Sequence, residues 1–234
     1  MRMNILALDT SSQAASCAIL RGGALAGEFF SNVGLTHSQT AMPMAQKLLE
    51  QTRIALSEID LFAVSTGPGS FTGLRIGIAS IKGMAMATGK TCVGVSTLLT
   101  LASGVCLFEG YICPVMDARR DQVYTALFES DGARLHRLRE DEALSLEELG
   151  AVLDGLSARV LLVGDGAHIC LEALGKTLPL TLPPERFLHQ RASAVAFAAC
   201  EMAARGQLTS AGELAPGYLR LSQAERGRME SAER

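Results

Sequence analysis

A glycine-rich segment that could bind an anion lies between an apolar run and a stretch with helical periodicity: Gly67, Pro68, Gly69 and Ser70. Such a loop can point backbone N–H groups at a ligand beside the positive end of a helix dipole. No lysine follows Gly73, so the segment does not match the P-loop pattern, and it does not open the turn after the first strand. An anion site and a plain tight turn therefore both remain open.

Asp9 is a second candidate for chemistry, because it ends the apolar residues 5–8. An acidic residue at a strand end can hold a magnesium ion or a water molecule. The residues after it contain no glycine that would let a phosphate approach, so we do not expect strong ATP turnover. The candidate nucleotide- or anion-binding set is Asp9, Thr10, Ser11, Gly67, Gly69 and Ser70.

The predicted helix after the glycine-rich loop, residues 71–88, carries small residues at every fourth position: Ala79, Gly83 and Ala87. Small residues let a second helix approach closely, which increases dispersion contacts, and flexible methionines such as Met84 fill irregular gaps. The same pattern also fits an ordinary core helix, so both interpretations remain open.

Histidines and cysteines give no sign of a metal site. The four histidines, at positions 37, 136, 168 and 189, are widely separated along the chain. The six cysteines include no C-x-x-C pair and lie mostly in apolar segments. We therefore expect reduced, buried thiols rather than a zinc site or a disulfide framework.

The elements that position these residues alternate strands with helices in two halves. In the first half, strands are predicted at 5–8, 16–20, up to about 30, 61–65 and 91–95, with helices at 38–52 and 71–88. In the second half, strands are predicted at 111–116, 122–128, 134–139 and 160–163, with helices at 146–153 and 192–205. This order predicts an α/β fold of two related domains, residues 1–103 and 104–221, followed by a flexible charged tail at 222–234.

Composition excludes several classes of protein. The chain has 234 residues, is 48% hydrophobic and carries a formal net charge of -3. Its apolar runs fall well short of the ~20 residues that a membrane span needs, so we expect a cytoplasmic protein with no membrane contact. Acidic and basic residues are interspersed, and no basic stripe could neutralise a run of phosphates, so we do not expect the chain to bind tRNA by itself.

Residues 64–77 resemble the signature of the TsaB family, also known as YeaZ. Further similarity to this family lies at residues 5–11, 37–38, 116–124 and 216–220, in the same order along the chain. The resemblance implies two actin-like (ASKHA, RNase H-like) domains. It also implies a non-catalytic subunit that supports TsaD, the enzyme that transfers a threonylcarbamoyl group to an adenosine of tRNA.

The resemblance further implies that this chain lacks the catalytic metal site of TsaD. In TsaD, a similar loop and helix lead through a strand to a His-x-x-x-His motif. Thr97 and Leu101 occupy the corresponding positions here. A threonine hydroxyl or a leucine side chain cannot replace imidazole as a transition-metal ligand.

A partner surface on helices 38–52 and 74–87 is also implied by the resemblance. TsaD and TsaE are the implied partners, the same face is expected to form a homodimer when the chain is alone, and tRNA is reached only through the complex. No intrinsic cofactor is implied, although ATP or ADP could bind at the interface of the complex. The expected contact residues are Met42, Ala45, Leu49, Ile76, Ala79, Ser80, Gly83, Met84 and Ala87.

Two alternatives belong to other functional classes. A small kinase or ATPase with the same fold would depend on Asp9. A metallopeptidase of the glycoprotease type would need metal ligands, which makes it the weaker alternative.

Overall fold

The computed structural model describes residues 3–156 and 158–219 and contains two five-stranded mixed sheets. In the first sheet the strands lie in the order β3-β2-β1-β4-β5. Their bounds are Ile5–Asp9 (β1), Ala15–Arg21 (β2), Ala24–Ser31 (β3), Leu61–Gly67 (β4) and Thr91–Ser96 (β5). β1 runs antiparallel to β2 and parallel to β4. The tail predicted at residues 222–234 lies outside the described residues.

The strands of the second sheet lie in the order β10-β9-β6-β7-β8. Read from β8 to β10, this is the same arrangement as in the first sheet. Their bounds are Gly110–Asp117 (β6), Gln122–Ser130 (β7), Leu135–Ser145 (β8), Val160–Val163 (β9) and Leu180–Thr181 (β10). In both sheets, a central strand pairs antiparallel with the next strand in the chain and parallel with a later one. The prediction of an α/β fold with two mixed sheets is confirmed.

Helices cover the faces of these sheets. Their bounds are His37–Thr52 (α1), Phe71–Thr88 (α2), Thr97–Ser103 (α3), Leu146–Asp154 (α4), Ala167–Leu174 (α5) and Ala192–Ala204 (α6). Among the described residues, none of the helices has the length and apolar character needed to span a lipid bilayer.

Strand β1 lies at the centre of the first sheet and is buried on both faces. Leu6 and Leu8 belong to the core that α1 and α2 cover, whereas Ile5 and Ala7 belong to the core under α6. A strand covered on both faces needs a continuous apolar sequence, which explains why residues 5–8 contain no polar side chain.

Helix α6 crosses back to the first sheet, although it follows the second sheet in the chain. Its alanine-rich face, with Ala192, Val195, Ala196 and Ala199 buried, packs on β1 and β2. The range 104–221 therefore includes a helix that packs on the first sheet, and the domain boundaries predicted from the sequence stay a prediction.

Helix α2 has clear signals at both ends. The Ser70 hydroxyl caps its first turn by accepting a hydrogen bond from the Gly73 amide at 3.2 Å. Gly89 ends the helix in the left-handed conformation, with φ 66°. The prediction of a helix at residues 71–88 is confirmed. The sequence could predict both ends because serine at the N-cap and glycine after the last turn specify them locally.

Three of the elements named above, α3, α5 and β10, are not among those predicted from the sequence, and one predicted strand is longer. Helix α3 starts where the Ser96 hydroxyl accepts from the Leu99 amide at 3.2 Å. Strand β8 continues to Ser145, six residues beyond the predicted end at residue 139. Register shifts between β7 and β8 interrupt the alternation of inward and outward side chains, so the period-2 pattern could not reveal the full strand.

Candidate functional site

The Gly-Pro-Gly loop packs tightly on the turn after β1. The Ser70 amide donates to the Ser11 carbonyl at 2.6 Å. Gly69 has φ 155°, and a Cβ at that position would overlap the Ser11 carbonyl oxygen. Gly67 has φ 123°. Glycine is needed here because of backbone conformation and close packing, which are requirements of this chain's own fold.

The same turn also explains two glycines of helix α2. A Cβ at Gly73 would overlap the Thr10 carbonyl oxygen, and a Cβ at Gly77 would overlap the Thr10 hydroxyl. The Thr10 hydroxyl donates to the Gly73 carbonyl at 2.8 Å. Side chains at positions 73 and 77 would therefore push α2 away from the first sheet.

Asp9 is fully buried and organises the turn. Its Oδ1 accepts hydrogen bonds from the Ser11 amide at 2.9 Å and the Ser11 hydroxyl at 2.7 Å. Its Oδ2 accepts from the Ser65 hydroxyl. Burial raises the pKa of Asp9 above its ordinary value of 3.8, although the hydrogen bonds from Ser65 and Ser11 act in the opposite direction. These contacts give Asp9 a structural task.

The structure brings together all six residues of the predicted anion set. The three from the first turn, Asp9, Thr10 and Ser11, are buried. The Ser70 amide, which an anion would need, bonds to the Ser11 carbonyl instead. These contacts explain the loop as a tight packing element, and a nucleotide bound to this loop stays a prediction.

The outward face of α2 has a different character. Ala79, Gly83 and Ala87 are exposed, and Met86 beside them is 70% exposed. A Cβ built at Gly83 meets no atom within 4 Å, in contrast to those at Gly73 and Gly77. We call these four exposed residues the α2 strip. Met86 was not in the predicted contact set, although its place among the small residues could have suggested it.

Helix α1 borders the α2 strip on one side. Met42 on α1 is 46% exposed, while Leu49 on α1 and Ile76 and Ser80 on α2 are half-buried. At 3.6 residues per turn, Ile76 and Ser80 lie on the flank of α2 next to the strip, where α1 packs. These four predicted contact residues are thus at least partly exposed on the outer surface of α1 and α2, two helices that contact each other.

Two predicted contact residues do not belong to that surface. Ala45 is 1% exposed and Met84 is 5% exposed, and both face the core of the first sheet. Helical spacing alone could not identify the inward side of α1 and α2, because apolar residues occur on both sides of each helix. Neither side chain is accessible to a partner in the described conformation, and a contact through Ala45 or Met84 stays a prediction.

A C-terminal segment borders the α2 strip on the opposite side. Residues 209–218, which we call the C-terminal strap, begin with two 2.8 Å backbone hydrogen bonds between Thr209 and Cys92 of β5. Near its other end, the Gly217 amide donates to the Thr66 carbonyl at 2.8 Å. The strap thus runs from the edge of the first sheet to the Gly-Pro-Gly loop.

Thr97 and Leu101 lie about one turn apart on α3, and both are buried. In the part of the chain that the structure describes, no group of three or more histidine, cysteine or acidic side chains is arranged to hold a metal ion. His37 lies beside the first turn, where its Nε2 is 2.7 Å from the Ser12 carbonyl oxygen. Its position supports a role in packing α1.

Comparisons with known proteins find similarity over most of the chain. The family described as TsaD: tRNA N6-adenosine threonylcarbamoyltransferase matches residues 31–224. The tRNA threonylcarbamoyladenosine biosynthesis protein TsaB of Bacillus subtilis (strain 168) is 32% identical over 231 residues, covering 98% of this chain and 99% of the relative. The protein of the same name from Escherichia coli (strain K12) is 34% identical over 221 residues, covering 93% of this chain and 95% of the relative. The solved structure of YeaZ from Pseudomonas aeruginosa superposes with a TM-score of 0.82 at 29% identity, covering 93% of this chain and 100% of that one.

Substituting alanine for Gly77 and for Gly83 should have opposite effects on stability. Gly77→Ala adds a methyl group where the Thr10 hydroxyl lies, so the free energy of unfolding should fall by about 1–3 kcal/mol. Gly83→Ala adds the same group in open space on a helix, so the free energy of unfolding should rise by about 0.5–1 kcal/mol. Urea denaturation of the two variants measures both values, and equal effects would contradict the assigned packing.

Replacing Asp9 with asparagine should change how stability depends on pH. Asp9 in the unfolded chain loses its proton near pH 3.8, whereas the folded carboxyl keeps its proton to higher pH. Between these two pKa values, the folded wild type therefore binds more protons than the unfolded chain does. The free energy of unfolding of the wild type therefore decreases as pH rises between these two pKa values. Asparagine does not titrate, so the variant should not show this decrease. The value for Asp9→Asn minus that for the wild type should grow more positive as the pH of urea titrations is raised above 3.8. A constant difference would show that folding does not raise this pKa.

Proposed function

The chain belongs to the TsaB family, and on that premise we propose that it is a non-catalytic subunit that docks on TsaD through the α2 strip. Its role is in the biosynthesis of N6-threonylcarbamoyladenosine in tRNA, with TsaD.

Gly83 is the observation that carries the docking proposal. Glycine in the middle of a helix costs about 0.5–1 kcal/mol relative to alanine. Gly73 and Gly77 offset that cost by letting α2 pack on the first turn, but a Cβ at Gly83 would meet nothing in this chain. Close packing of a helix from another molecule on α2 would explain why position 83 has no side chain. Contacts within this chain do not explain it.

The surroundings of Gly83 fit a helical partner. The α2 strip consists of small side chains and the flexible Met86, and it lies between α1 and the C-terminal strap. Close approach of a helix there increases dispersion contacts, and the methionine adapts to the partner's shape. We propose that the same surface forms a homodimer when TsaD is absent, so the two assemblies exclude each other.

The non-catalytic assignment rests on the residues at α3. Thr97 and Leu101 stand where the resemblance places the metal ligands of TsaD, and neither side chain is suited to bind a transition metal. We propose that TsaD supplies the chemistry, that TsaE joins the complex, and that tRNA is reached through it. The net charge of -3 supports this last point.

A nucleotide is the other proposed component of the assembly. The described contacts occupy the Ser70 amide and bury Asp9 within this chain. We therefore propose that ATP or ADP binds where this chain meets its partner, with groups from both subunits.

Replacing Gly83 with leucine should weaken TsaD binding without destabilising the chain. The new side chain enters open space in the monomer, and leucine favours a helix more than glycine does. At the proposed interface it would separate the two helices, so affinity measured by calorimetry should fall by about ten-fold or more.

Ala151→Leu is the matched control for that variant, because Ala151 is exposed on α4, away from the α2 strip. The control should bind TsaD like the wild type. Wild-type affinity in Gly83→Leu would instead place the TsaD contact elsewhere on the molecule.

Reconstitution of the tRNA modification tests the proposed function itself. TsaD, TsaE, unmodified tRNA, ATP and threonylcarbamoyl-adenylate are combined with and without this chain, and modified adenosine is measured by mass spectrometry. Modification should depend on the chain, and Gly83→Leu should reduce it in proportion to the lost binding. Full modification without the chain would overturn the proposal.

A further inference from the structure

The two charged residues of helix α2 are both basic and both contact the C-terminal strap. These residues are Arg75 and Lys82. The Lys82 ammonium donates to the carbonyls of Gly212 and Leu214, each at 3.1 Å. Lys82 thus bonds to the strap itself, which leaves Arg75 as the cation available at the border of the α2 strip.

Arg75 is held in place by two aromatic rings. The rings of Phe71 and Tyr218 stack with their centroids 4.0 Å apart and their planes at 2°. The Arg75 guanidinium lies 4.6 Å from the centre of the Phe71 ring, and its Nε donates to the Tyr218 hydroxyl at 2.9 Å. Cation–π attraction and this hydrogen bond together restrict the rotamers of an otherwise flexible side chain.

The terminal nitrogens of Arg75 remain available for a ligand. Within residues 3–156 and 158–219, the one hydrogen bond of its guanidinium goes from Nε to Tyr218, and no carboxylate pairs with it. A guanidinium with free Nη groups matches a carboxylate through two parallel hydrogen bonds. Its position places such a carboxylate beside the first turns of α2.

We propose that Arg75 binds a carboxylate of the partner helix that docks on the α2 strip, with Tyr218 and Phe71 fixing the guanidinium in advance. This inference rests on the proposed function and adds the chemistry of the partner to it. The strip itself is uncharged, so Arg75 is the one α2 side chain there that can select the partner by charge. Because Arg75 is already ordered, less conformational entropy is lost when the pair forms.

The proposed pair predicts a specific electrostatic signature. A charge pair at the edge of an interface steers association and makes binding sensitive to salt. A purely structural clamp between α2 and the strap would not produce that sensitivity. The salt dependence of affinity therefore separates a partner contact from a structural role.

The test measures the Kd for TsaD at low and high sodium chloride for the wild type and for Arg75→Gln, Arg75→Lys and Tyr218→Phe. Arg75→Gln should bind about ten-fold more weakly at low salt and lose most of the salt dependence. Arg75→Lys should keep the salt dependence with reduced affinity, since lysine retains the charge but not the planar fork. Tyr218→Phe keeps the stacked rings but loses the hydrogen bond, so it should weaken binding less than Arg75→Gln does.

Arg205→Gln is the matched control, because Arg205 is an exposed arginine beside α6 with an ion pair to Glu201 at 3.9 Å. It should leave both affinity and salt dependence unchanged. The inference is overturned if Arg75→Gln keeps the wild-type salt dependence, whether or not affinity falls. A wild-type chain that does not bind TsaD at any salt concentration would overturn the proposed function instead.

Discussion

The close contact between the turn after β1 and the start of α2 is the constraint on which the rest of the structure depends. Gly69, Gly73 and Gly77 have no side chains because the backbone and side chain of Thr10 and Ser11 occupy that space. The buried carboxyl of Asp9 fixes the same turn through hydrogen bonds to Ser11 and Ser65. This contact seats α2 on the first sheet and thereby determines which of its sides faces outward.

The glycines of α2 serve two different purposes. Those near the N-terminus of α2 satisfy the packing of this chain, so they need no ligand to explain them. Gly83, two turns further on, has open space around it, and the chain gains nothing from its lack of a side chain. The loop that most resembles an anion site is thus a packing element, and the surface that looks featureless is the one we propose to be functional.

Local sequence signals were enough for much of the fold. Ser70 and Gly89 specify the ends of α2, and the apolar residues 5–8 identify a strand covered on both faces. The signals failed where long-range packing decides: the return of α6 to the first sheet, the extent of β8 and the inward side of α1. For the same reason, spacing grouped the buried Ala45 and Met84 with exposed residues such as Gly83. No local pattern could reveal that Tyr218, more than 140 residues along the chain from Arg75, holds its guanidinium.

A structure of this chain bound to TsaD is the most direct test of the docking account. Helices in globular proteins usually pack with their axes about 8–10 Å apart. In the complex, a TsaD helix should cross α2 at Gly83 with an axis distance at or below the lower end of that range, and it should cover Met86. A complex in which Gly83 and Met86 remain exposed to solvent would contradict it.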